Sequence, residues 1–157
     1  MAGQARYERN QPLLSIPFQP VLLAMKKRGF GAGKWNGPGG KAHPGETPTD
    51  ALIREVREEI GVTVLSANDR GLIEFVYASK PEWSQRCRIF SSADFDGEPT
   101  ESEEMKPQWF STDGIPYHEM WESDGIWFPQ LLAGARVGYR IYFNDEMRLM
   151  KHEPIAL

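Results

Sequence analysis

Within IREVREEIGV, residues 53–62, three carboxylates fall in five positions, Glu55, Glu58 and Glu59, with Glu46 a little upstream. On a helix, carboxylates at i, i+3 and i+4 repel one another by a few tenths of a kcal/mol per pair, and Lys or Gln would serve a purely structural face better. Hard oxygen donors gathered on one face are also what Mg²⁺ or Mn²⁺ takes. Arg54 and Arg57 relieve part of the repulsion, so on this segment alone a solvated helix face and a metal platform are equal readings.

The acids need a helix to hold them, and its limits are signalled. Thr47 is a good N-cap, Pro48 suits the first helical position, Asp50 completes a capping-box-like pair, and Gly61 marks the end. At about 100° per residue with Glu55 at zero, Glu58 falls near −60° and Glu59 near +40°, while Ile53, Val56 and Ile60 lie between about 100° and 160°. The acids share one face and the aliphatics another, which predicts burial of the aliphatic stripe against a sheet. VLLAMKK (21–27) reads as a strand, the Gly-rich run 29–46 as a long loop, and 71–78, 86–95 and 105–111 as strands. Helical spacing over 120–134 is interrupted by Gly125 and Pro129, and VGYRIYFN with MRLMKHEPI reads as a final hairpin. That order predicts an α+β fold, a mixed sheet sandwiched between helices in an α/β/α arrangement, as one domain over 1–157.

Composition narrows the class. Hydrophobic residues at 40% and charged residues at 25% are globular values, and no apolar run approaches the roughly 20 residues that cross a bilayer. A net charge of −4 argues against nucleic-acid polymers as partners, though a divalent cation would let an acidic protein hold a polyphosphate. Cys87 reads as a small apolar residue in a reducing compartment, and the first twenty residues carry no secretory signal, so the expected address is the cytoplasm. His43, His118 and His152 are scattered without zinc-like spacing.

Counting outward from the acids, Gly40 is followed after five residues by Glu46, and seven more lead to Arg54-Glu55-Val56. Glu58-Glu59 and Gly61-Val62 then follow at single-residue gaps. The pattern G-x5-E-x7-R-E-U-x-E-E-x-G-U, with U aliphatic, is thereby filled at each specified position, and the chain resembles the Nudix hydrolases. GFGAGKW is no P-loop, since Trp35 follows Lys34 where Ser or Thr is required and position 28 is Arg28. The resemblance implies the Nudix fold and hydrolysis of a nucleoside diphosphate linked to another moiety, with Mg²⁺ as cofactor and Mn²⁺ as a substitute. It makes Glu55 and Glu59 principal metal ligands, Glu58 a further ligand or base, and the Gly40 carbonyl another oxygen. Glu104 would face the metals, and Glu59 or Glu104 would serve as general base. Arg54 and Glu46 would orient the acids.

Three longer segments, LLAMKKRGFGAGKWNGPGGKAHPGE, ESEEMKPQWF (101–110) and IPYHEMWESDGIWFP (115–129), are similar to the mammalian-type MutT homologues, the oxidised-purine nucleoside triphosphatases, within a similarity spanning roughly 18–145. This implies hydrolysis of oxidised or otherwise modified purine (deoxy)nucleoside triphosphates, among them 8-oxo-dGTP, 2-oxo-dATP and methylated purines. The products would be monophosphate and pyrophosphate, and the nucleotide pool would be sanitised. Asn36 would offer donor and acceptor to a purine edge, Trp121 and Phe75 would stack on or wall the base, and Phe30 and Trp127 would close an apolar slot. Asp124 would accept from purine N–H groups and Lys26 would lie near sugar or phosphate. Taken singly these aromatics read as core, as do Trp109, Phe110 and Phe128. The chain departs from that family where Ser123 replaces one of two adjacent aspartates, with Glu122 nearby. It departs also at Gln11, which falls on a first-strand threonine, and at Pro38, which replaces a loop aromatic. Two other readings stay open: a Nudix hydrolase of a nucleotide sugar or dinucleoside polyphosphate, and a catalytically silent nucleotide-binding module. The expected protein is a monomer with a nucleotide substrate and no membrane partner.

Overall fold

In the computed structural model, residues 4–6 and 20–157 are described. Gln11 lies outside them. The helix α1 spans Pro48–Ile60 as its signals predict: Thr47 Oγ1 accepts the Asp50 N–H at 3.1 Å, and Gly61 at φ 72° closes the last turn by donating to Arg57 O at 3.0 Å. Strands β1 (Gln4–Arg6), β2 (Val21–Lys26), β3 (Trp35–Asn36), β4 (Thr63–Tyr77), β5 (Gln85–Asp96), β6 (Met105–Phe110), β7 (Val137–Phe143) and β8 (Leu149–Pro154) accompany a second helix, α2 (Asp124–Leu132). Among the described residues they form one mixed sheet in the order β3-β2-β1-β5-β4-β7-β8. β6 runs antiparallel along all of β2, opposite the edge that β1 and β3 share. β4 pairs parallel with β7 and β1 parallel with β5, and the other pairings are antiparallel.

Helices cover both faces, and β2 shows why the sheet is hydrophobic throughout. Its alternate residues Val21 and Leu23 enter the core under α2, with Trp127, Phe128 and Leu131. Leu22 and Ala24 enter the core under α1, with Leu52, Val56 and Ile60. All four β2 residues are buried, and each fully buried aliphatic side chain contributes about 1.5–3 kcal/mol relative to exposure. The expected α/β/α arrangement is therefore present.

Three local expectations are corrected. Ile53 is only half-buried, and Leu52 and Ala51 are buried instead. The buried arc of α1 is rotated toward the acids and takes in Glu59, so acid and aliphatic faces are not separate. β4 begins at Thr63, not at 71, because three register shifts against β5 let the polar stretch around Ser66, Asn68 and Asp69 stay in the sheet without a regular alternation. The loop 29–46 contains β3, whose pairing with Ala24 and Met25 holds Asn36 against the sheet.

Candidate active site

Arg54 organises the acids of α1. Its guanidinium makes five hydrogen bonds: Nε and Nη2 to the two Glu46 oxygens at 2.8 and 3.0 Å, Nη1 to Glu55 at 2.7 Å and to Glu58 at 3.3 Å, and Nη2 to Lys41 O at 3.0 Å. The planar fork suits this bidentate grip on Glu46. Arg54 and the His43 N–H together draw the Glu46 carboxyl down to about 2, and the same pairings with Glu46 and Glu55 raise the Arg54 guanidinium above its ordinary value. The helix is thereby tied to the loop that precedes it. Gly40 lies against Glu55 so closely that a Cβ there would stand 2.4 Å from the carboxyl carbon and would have to displace that carboxylate.

The three acids are graded in depth. Glu58 is exposed, Glu55 is mostly covered, and Glu59 is 7% exposed with its Oε2 accepting the Gly39 N–H at 3.0 Å. Burial pushes the Glu59 carboxyl up to about 7, with the Glu55 and Glu104 carboxylates adding to the push and the Gly39 N–H and Lys26 opposing it. Glu104 stands on the rim and accepts from Arg28 Nη2 at 3.2 Å. Among the described residues no three His, Cys, Asp or Glu side chains stand together where they could hold one metal ion, and Glu55 and Glu58 accept from Arg54. The donor set nevertheless fits a hard divalent cation. It is all oxygen, and its most buried member carries carboxylate repulsion that a cation would relieve.

Glu55, Glu59, Glu104 and Gly40 line a cleft of about 790 Å³ whose walls also include Lys26, Phe30, Asn36, Phe75, Trp121, Asp124 and Trp127. Asn36 Oδ1 accepts the Gly37 N–H at 2.8 Å, so this residue shapes its loop and lines the cleft at once. Asp124 is 2% exposed and caps the preceding turn by accepting the Trp121 N–H at 3.1 Å. Burial pushes its carboxyl up to about 7, against the Trp121 N–H, the Lys34 cation and the nearby Trp127 indole. Ser123 Oγ is buried with no hydrogen-bond partner among the described residues, and the buried Trp127 Nε1 has only the neighbouring Asp124 carboxylate to turn to. Ser123 is fully buried at the start of α2 and is not among the residues that line the cleft, whereas its neighbour Asp124 lines it. Glu58 and Arg54 also stay outside the cleft walls. Sequence reasoning missed Arg28, Lys34, Lys41, Tyr77, Trp83 and Phe143, all of which line it. Tyr77 and Phe143 meet only through the parallel register of β4 and β7, which no local pattern displays.

A sheet clasped by two helices, with a carboxylate-lined helix tied by Arg54 to its glycine-rich loop, is the architecture of a Nudix hydrolase. The chain belongs to that family: the NUDIX domain model matches residues 14–131. It is 46% identical over 140 residues to the oxidized purine nucleoside triphosphate hydrolase of Mus musculus, covering 89% of each chain. To the protein of the same name in Danio rerio it is 50% identical over 129 residues, covering 80% of this chain and 82% of that one. The fold resembles that of the MutT protein of Bacillus halodurans, with a TM-score of 0.77 at 24% identity over 96% of this chain and 94% of that one.

Proposed function

We propose that this Nudix hydrolase converts oxidised or otherwise modified purine (deoxy)nucleoside triphosphates to the monophosphate and pyrophosphate, and so sanitises the nucleotide pool. The observation that carries the reading is one cleft lined both by the carboxylates Glu55, Glu59 and Glu104 and by Trp121, Asp124 and Asn36. The relatives named above, which act on oxidised purine nucleoside triphosphates by name, support it. In this reading Glu55, Glu58 and Glu59, with Glu104 and the Gly40 carbonyl, hold the cation, Mg²⁺ with Mn²⁺ as substitute. When bound, that ion neutralises phosphate charge and lowers the pKa of water. Glu59 and Glu104 both line the cleft, and both are able to receive the proton of the attacking water. Arg54 holds Glu55 and Glu58 in place without touching substrate. Lys26, Arg28, Lys34 and Lys41 supply the positive charge along the cleft that a triphosphate calls for.

In the same cleft, Trp121 and Phe75 wall the base, Phe30 and Trp127 close the slot, and Asn36 and Asp124 read its hydrogen-bonding edge. Of the two neighbouring residues Ser123 and Asp124, Asp124 is the one that lines the cleft. With its carboxyl raised to about 7 it donates to the base when protonated and accepts when ionised. We place the protein in the cytoplasm as a single-domain monomer, in keeping with its buried Cys87. No helix among the described residues is long and apolar enough to cross a membrane.

Incubation with Mg²⁺ and 8-oxo-dGTP, 2-oxo-dATP, O6- and N6-methylated purine triphosphates and plain dGTP tests the reading. Monophosphate and pyrophosphate from at least one modified purine, above dGTP, is the expected result. Absence of turnover on every modified purine overturns it, and release of a different coproduct from a nucleotide sugar or dinucleoside polyphosphate would replace it.

A further inference from the structure

Five aromatic rings close a circuit around the Trp121 end of the cleft. Phe30 stacks on Trp121 at 5.3 Å and 27°, Trp121 meets Phe143 edge-on at 6.4 Å, and Phe143 stacks on Tyr77 at 5.3 Å and 15°. Tyr77 meets Trp83 edge-on at 6.1 Å, and Trp83 returns to Phe30 at 6.2 Å. All five line the cleft. Tyr77 and Phe143 belong to the core, whereas Phe30 and Trp83 are 50% and 38% exposed. Two large rings left side by side in solvent at a cleft are the kind of surface that a flat apolar ligand covers. They come from separate segments. Phe30 sits between Gly29 and Gly31 at φ 76° and 84°, while Trp83 ends the short 3-10 turn Pro81–Trp83 that links β4 to β5. The Lys80 ammonium lies 3.9 Å over the Trp83 ring, at cation–π distance.

We propose that Trp83 is a base-contacting, specificity-determining residue: with Phe30 it completes an aromatic collar in which a bicyclic base touches walls on both sides and a single-ring base does not. The inference rests on reading the Trp121–Asp124 end as the base end. Asn36 and Asp124 then read the hydrogen-bonding edge, and the collar reads the size and flatness of the ring. No hydrogen-bond pattern is asked of Trp83, because every base has a π face and stacking selects by overlap.

The test compares the full chain with Trp83→Ala, Trp83→Leu and Trp83→Phe, using calorimetric titration with 8-oxo-dGMP, dGMP and dCMP and steady-state kinetics on 8-oxo-dGTP. In Trp83→Ala the Kd for both purine monophosphates and the KM rise about tenfold, kcat stays within about threefold, and the preference for dGMP over dCMP falls by about the same factor. Trp83→Phe restores binding to within about threefold of the parent. Trp83→Leu, which keeps apolar bulk without a ring, behaves like Trp83→Ala and decides the matter if the alanine variant melts early. Unchanged Kd and KM, an equal loss for purine and pyrimidine, or a fall in kcat alone overturns the proposal. Failure of the parent to hydrolyse any modified purine triphosphate would remove the substrate reading, while the dGMP-to-dCMP preference of the variants would still decide the role of Trp83.

Discussion

At the scale of single residues, the proposed chemistry turns on two buried carboxylates, Glu59 and Asp124. Glu59 is raised to about 7 chiefly by burial, so its folded pKa exceeds its unfolded value near 4.5. The stability linked to its protonated form is present below the unfolded pKa and is lost as pH rises through about 7. Glu59→Gln, measured with chelator present, should therefore be more stable than the parent by about 1–3 kcal/mol at pH 8 and equal to it near pH 4, read from denaturant melts. In Mg²⁺ the same variant should lose about 10²–10⁴-fold in kcat with its fold intact, and retained turnover would remove Glu59 from the site. Asp124 calls for a different measurement. Because its carboxyl titrates near 7, KM for 8-oxo-dGTP should change through that pH, and Asp124→Asn should flatten the profile. A parent KM that is constant from pH 6 to 8.5 would contradict the role given to this acid.

At the scale of elements, the signals that place α1 are local chemistry, and they held: Thr47, Pro48 and Gly61 bound the observed helix. Thr47→Ala should cost about 1 kcal/mol through loss of the Asp50 N–H acceptor, with kcat unchanged. The β4–β7 junction is more severe. A Cβ on Gly71, at φ 129°, would stand 1.8 Å from Val137 O in the parallel pairing. Gly71→Ala should cost at least about 3 kcal/mol or prevent folding, checked by chemical denaturation beside Thr47→Ala. The start of β4 escaped the sequence because bulged polar residues carry no alternation, and β3 escaped because two residues make no pattern. The helix acids were legible as a set but not in depth. Burial of Glu59 depends on how α1 is rotated against β2 and β6, a property of the packed pair of layers.

At the scale of the whole molecule, the cleft lies between the glycine-rich loop, α1, β4 and the start of α2, while the two cores lie on either face of the sheet. The aliphatic and aromatic cores carry the fold, so chelation should abolish turnover while leaving circular dichroism unchanged and the melting temperature only slightly moved. Collapse of the fold in EDTA would assign the cation a structural role. Binding of the product should raise stability by about 2.7 kcal/mol at a free concentration of 100 times Kd, visible as a shift in thermal midpoint.

The amino-acid sequence by itself determined the family, the acid cluster and the limits of α1, because these rest on spacing and local capping along one segment. The tertiary structure alone decided that Ser123 is fully buried, that Glu59 is buried rather than on a solvated face, and that Phe30, Tyr77, Trp83, Trp121 and Phe143 meet in one circuit of ring contacts. The physical reason is distance along the chain. Each of those outcomes depends on helix rotation or strand register between segments tens of residues apart, and neither leaves a mark in local sequence.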